Sequence, residues 1–150
     1  MQSADRRTFL RAITATALPA SLAGCSGDDD RDREYVDEEP DYGGYLDDVP
    51  NYDRTVDLTG REVIAIDVGA GDGLQFDPAA VQVSTGTEIV WRWTGRGGEH
   101  NVVHEGDAFE SDRTDEAGHE FAFTFEEAGT YPYYCTPHET VGMKGAVVVV

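Results

Sequence analysis

From Thr55 to the C-terminus, hydrophobic residues fall into short runs divided by turn residues. Val63 to Val68 is β-branched and apolar and ends at Gly69-Ala70-Gly71-Asp72-Gly73, a turn. Leu74 and Phe76 lead to Pro78, Val81 alternates with Val83, and Gly86 marks the next turn. Ile89, Trp91 and Trp93 alternate with Val90 and Arg92, which predicts a strand with one buried face. Gly95 to Gly98 is a loop, and His100 to His104 reads as a short strand. After a polar excursion over 105–118, Phe121, Phe123 and Phe125 alternate again. Ala128-Gly129 turns the chain into Tyr131-Pro132-Tyr133-Tyr134-Cys135, and four valines close the sequence as a core strand. No three-turn helical period appears. About seven short strands at turn-separated intervals predict an all-β sandwich or barrel.

The N-terminal third follows other rules. Residues 26–54 are rich in Asp, Glu, Gly and Pro without helical or alternating period, which predicts a disordered acidic tether. Ahead of it, Arg6-Arg7-Thr8-Phe9-Leu10-Arg11 opens a basic segment, and the apolar run Ile13–Ala23 is too short for a span that needs roughly 20 residues. This is the pattern of a cleaved export signal, and the Arg pair resembles the twin-arginine type, which carries folded cargo. Leu22-Ala23-Gly24-Cys25 resembles a lipobox, in which the Cys25 thiol takes lipid and becomes the new N-terminus. The expected organisation is a signal over 1–24, a tether over 25–54 and a folded domain over 55–150.

Charge narrows the setting. Acidic residues number 30 against 11 basic ones, for a formal net charge of −19, and Lys144 is the one lysine. Such a chain does not bind nucleic acid through its phosphates, which require Lys and Arg. Its aromatic content, 10%, exceeds that of a disordered acidic chain. A carboxylate-rich surface stays hydrated where salt screens its self-repulsion, which points to an extremely halophilic archaeon.

The sulfur atoms carry the chemistry. If Cys25 is lipidated and Met1 leaves with the signal, the domain keeps one Cys and one Met, both within Cys135-Thr-Pro-His-Glu-Thr-Val-Gly-Met143, with His138 between them. An unpaired thiol in an exported protein needs a use. A disulfide to Cys25, a buried core Cys or a gap-filling Met would each account for one residue but not for the spacing. A thiolate and imidazoles with a weak thioether form the blue-copper donor set, whereas zinc gains little from a thioether. Cys135, His138 and Met143 therefore predict a site for one copper ion. The remaining imidazole could be His100, His104 or His119.

Gly98-Glu99-His100-Asn101-Val102-Val103 together with Cys135-x-x-His138-x₄-Met143 resembles the cupredoxins over about residues 60–150. The resemblance implies a Greek-key β-sandwich and a type 1 copper site of His100, Cys135, His138 and Met143. It assigns to Asn101 the task of tying the two ligand loops through Thr136. Pro137 has no N–H to offer the Cys135 sulfur. It also implies that His138 presents its ring edge at an apolar end where electrons pass. The implied function is a Cu(I)/Cu(II) electron carrier rather than an enzyme. A copper oxidase or nitrite reductase needs a second, His-rich copper site, and a delivery protein offers Met-rich or Cys-x-x-Cys clusters. The expected setting is a monomer held by Cys25 on the outer face of the cell membrane, exchanging electrons with membrane respiratory complexes.

Overall fold

Alternation along the strands builds two facing sheets. The computed structural model describes residues 32–150. Its strands are β1 (Val56–Asp57), β2 (Val63–Ala70), β3 (Gln75–Asp77), β4 (Ala80–Val83), β5 (Thr87–Trp93), β6 (Val103–His104), β7 (Glu120–Phe125), β8 (Gly129–Tyr134) and β9 (Lys144–Val149). One sheet has the order β1-β4-β9-β8-β6 and the other β3-β2-β5-β7. Both are mixed: β2 runs parallel to β5 and β4 to β9, while β8 pairs antiparallel with β9 and β5 with β7. This is the all-β sandwich the sequence predicts. Among the described residues the regular helical turns are short 3₁₀ segments, one of them Thr136–Val141.

The core lies between the sheets. In β5, Thr87, Ile89, Trp91 and Trp93 are buried while Glu88, Val90 and Arg92 face outward, the period of 2 that a strand imposes. Trp91 sits centrally, with the rings of Phe109, Phe121 and Tyr133 at 5.3–5.7 Å. From the facing sheet come Val81, Val83, Val147 and Val149. Each such apolar side chain contributes about 1.5–3 kcal/mol by leaving water.

Strand β9 is buried at five consecutive positions, because both of its faces are covered. Val147 and Val149 point into the sandwich, while Ala146, with Ala80 of the neighbouring β4, joins a second cluster with Leu46 and Val49. That outer cover comes from residues 33–54. This part of the stretch expected as a disordered tether is instead a packed strap, within one unit spanning Arg33–Val150. Successive turns, with Tyr45 N, Asp47 N and Val49 N donating to the carbonyls of Tyr42, Gly44 and Leu46, place its apolar residues on the sheet without helical or strand period. The sequence pattern is silent for that reason.

The strap is fastened at both ends. Arg33 pairs with Asp77 at 3.1 Å, and Val36 N donates to Thr55 O at 3.1 Å. The Glu39 carboxylate accepts from the Thr55 amide and hydroxyl and from Tyr52 Oη. Burial opposes its charge, but these bonds and nearby Arg54 outweigh it and hold the carboxyl below the usual range. The export signal, the Cys25 lipobox and the rest of the expected tether lie outside the described residues.

A packed strap and an open tether respond differently to truncation of an apolar side chain. Leu46→Ala should destabilise the copper-free protein by about 2–4 kcal/mol, as for a buried leucine, whereas a residue in a tether would cost almost nothing. Denaturant unfolding of parent and variant decides the point.

Candidate metal centre

Two loops at one end of the sandwich converge. The first lies between β5 and β6 and carries His100, which is fully buried. It is held by an isolated bridge to Thr114 and by mutual backbone bonds with it, 2.9 and 3.1 Å. Glycines make the enclosure possible. A Cβ on Gly69 or Gly97 would stand 3.2 or 3.0 Å from His100 Nε2, and both residues have positive φ. Nε2 donates to Arg96 O at 2.7 Å, which fixes the tautomer and leaves Nδ1 as the free lone pair. The sequence gives no hint of this carbonyl partner, since any residue at 96 could supply it.

The second loop joins β8 to β9. Cys135 follows β8 and caps the 3₁₀ segment Thr136–Val141, Pro137 stands in the first turn of that segment, and Gly142 in the left-handed region closes it before Met143. Cys135 N donates to Met143 O at 3.1 Å and Met143 N to His138 O at 3.2 Å, so the loop folds back on itself. Cys135 and Met143 are fully buried, and His138 is half-buried, the ligand candidate nearest to water.

The loops meet in one cluster. Cys135 Sγ lies 3.7 Å from His100 Nδ1 and 3.5 Å from His138 Nδ1, and the three atoms fall within 4.8 Å of one another. Sulfur and nitrogen ligands about 2.3 and 2.0 Å from a common first-row ion, about 110–120° apart, would be separated by about 3.5–3.7 Å. The spacing therefore fits one metal ion. Cys135 is a free thiol. Burial pushes its titration up, and hydrogen bonds from the backbone amides of Asn101 and His138 act against that rise. Burial, followed by His100 and Arg113, lowers His138 and favours the neutral imidazole that a metal requires.

Asn101 joins the loops. Its Oδ1 accepts from Thr136 N at 2.7 Å and its Nδ2 donates to Thr136 Oγ1 at 3.1 Å. The other two histidines are elsewhere. His104 accepts at Nδ1 from Ala108 N and stacks on Phe109, and His119 stands edge-on to Trp93. Residues the sequence reading passed over are Arg96, Gly69 and Gly97 around His100, and Ser111, whose hydroxyl accepts from Val102 N beside Asn101.

Comparison with known proteins agrees with this geometry. Residues 62–150 match the family described as copper binding proteins, plastocyanin/azurin family. Halocyanin of Natronomonas pharaonis is 43% identical over 99% of this chain and 99% of its own. Plastocyanin of Daucus carota is 37% identical over 56% of this chain and 97% of its own. The solved structure of a mutant fern plastocyanin superimposes with a TM-score of 0.51 at 27% identity, covering 57% of this chain and 99% of that one.

The Asn101 bridge should be measurable without metal. Asn101→Ala removes the two hydrogen bonds that tie Thr136 to the first loop, at about 0.5–1.5 kcal/mol each, for a total cost of about 1–3 kcal/mol. Denaturant unfolding of the copper-free proteins reads that loss, and a variant as stable as its parent would show that the loops are held by other contacts.

Proposed function

This chain belongs to the plastocyanin/azurin family of copper-binding proteins, and we propose that it works as a single-electron carrier anchored at the outer face of the cell membrane. The observation that carries the reading is the buried convergence of Cys135, His100 and His138 within 4.8 Å, with Met143 on the same loop. Copper, when bound, supplies a Cu(I)/Cu(II) couple that accepts and returns one electron. His100 and His138 would give the two imidazole donors, Cys135 the thiolate and Met143 the weak fourth contact. With every position filled by protein, no place is left for a substrate, which favours a carrier over an oxidase or reductase. His104 and His119 are engaged in separate aromatic contacts, which also disfavours a second copper site.

His138 is the natural route for the electron, since His100 is fully buried and His138 reaches toward water. The expected partners are membrane respiratory complexes on the same face, met by a monomer. Lipidation of Cys25 would keep carrier and partners together. The likeness to halocyanin spans 99% of both chains, so it is not confined to the copper-binding domain.

Two variants test the copper reading together. Cys135→Ser should abolish the intense visible absorption, which needs a sulfur–copper bond, and a variant as blue as the parent would sink the assignment. Met143→Leu keeps similar volume, so the fold should lose less than roughly 1.5 kcal/mol. Removing the thioether takes away a donor that favours Cu(II) over Cu(I), so the potential should rise by tens of millivolts, where about 59 mV equals a tenfold change. Cyclic voltammetry with a copper count checks it, and an unchanged potential would remove Met143 from the ligand set.

The anchor is tested separately by the intact mass of protein from the native host. The expected result is a mature chain beginning at a lipid-modified Cys25. An unlipidated N-terminus elsewhere would remove the anchor and leave the copper reading standing.

A further inference from the structure

The strap meets the ligand loop on both sides of Met143. Before it, Gly142 has φ 93°, and a Cβ there would lie 2.4 Å from Asp48 O and 3.2 Å from Pro50 Cδ. The strap backbone thus runs against the loop with no space for a side chain. After it, Lys144 Nζ pairs with Asp48 Oδ1 at 2.7 Å and lies 4.9 Å from the centre of the Tyr45 ring. Tyr45 Oη donates to Tyr133 O at 2.8 Å, two residues before Cys135. One turn of the strap therefore touches both neighbours of Met143 and the strand that delivers Cys135. The Lys144 side chain is 14% exposed and that of Asp48 57%, so the pair is shielded on the lysine side and open to solvent on the other.

A thioether–copper contact is long and weak and cannot dictate where its own backbone lies. The backbone must be placed by contacts of the protein. The loop's own bonds, Cys135 N to Met143 O and Met143 N to His138 O, fix its internal shape. The strap contacts come from outside the loop and fix it against the sheet.

We infer that Asp48 and Tyr45 of the strap, acting on Lys144, Gly142 and Tyr133, are positioning residues that hold Met143 against the copper and so set the reduction potential. The inference rests on the copper reading above. It ascribes to residues 33–54 a task beyond covering the outer face of β4 and β9: loosening the clamp weakens the thioether contact, which disfavours Cu(II) and raises the potential.

The experiment must separate position from charge. Asp48→Ala removes an anion and Lys144→Gln removes a cation, so a purely electrostatic effect would raise the potential in the first and lower it in the second. In the double variant these charge effects offset each other, while the clamp remains broken. Potentials are measured by voltammetry on the copper-loaded full chain, with hydrogen exchange at the Met143 amide followed in the copper-free protein. The expected result is a double variant that stays blue, with its potential raised by about 28 mV, equivalent to roughly a threefold change at 59 mV per tenfold. Its Met143 amide should exchange several-fold faster than the parent's.

A parent-like potential in the double variant overturns the inference, whatever its exchange rate. Tyr45→Phe removes one hydroxyl and no charge, and it should shift the potential in the same direction by a smaller amount. If the double variant does not fold, Tyr45→Phe decides alone, and a parent-like potential in it overturns the clamp. A parent protein that binds no copper with blue colour would overturn the copper reading instead, so the two failures are distinguishable.

Discussion

Two imidazoles and the thiolate that a metal requires, groups that water solvates well, have to be brought together where little water reaches. Leaving a buried polar atom without a partner costs about 1–3 kcal/mol, so each group must be satisfied and still keep a lone pair for the ion. His100 spends Nε2 on the Arg96 carbonyl, and the Cys135 sulfur receives the amides of Asn101 and His138. What is left over, two Nδ1 atoms and one sulfur, faces a common point. The arrangement is set by the protein's own hydrogen bonds, so both oxidation states of a bound ion meet the same walls.

That constraint reaches outward through the fold. One loop is delivered by β5 and the other by β8 and β9, strands of opposite sheets, so the sandwich core around Trp91 fixes the distance between them. Asn101 spans the remaining gap by binding Thr136 at both its amide and its hydroxyl. The strap then presses on the second loop from the side away from the core, where no strand is available to hold it.

The parts of this plan that leave a period or a fixed spacing are visible in the sequence. Ile89, Trp91 and Trp93 reveal a half-buried strand, and Cys135, His138 and Met143 reveal a donor set. The residues alone favour His100 by its place at a loop-to-strand junction but do not settle the choice among His100, His104 and His119, because it depends on how two distant segments meet; a resemblance is needed to choose. The strap is invisible for a related reason. Tyr42, Tyr45, Leu46 and Val49 are packed by consecutive turns, which produce neither the helical nor the strand period. One indirect sign was present, the unbroken run from Ala146 to Val150. A strand buried at every position needs cover on both faces, and a two-sheet sandwich supplies only one.

The short β1 strand has a consequence for how this protein can be cut. Its two residues pair with Val81 and Gln82, and beyond them the strap continues that side of the sheet through the Tyr35–Val56 bridge. A chain shortened to begin at Val63, where the strong strand pattern starts, would lose β1 and the strap together. The free backbone edge of β4 would then open beside the bared Ala80 and Ala146. An unpaired edge next to an apolar face is a template for another chain. The shortened domain would retain every ligand residue and yet be prone to stack edge to edge into aggregates.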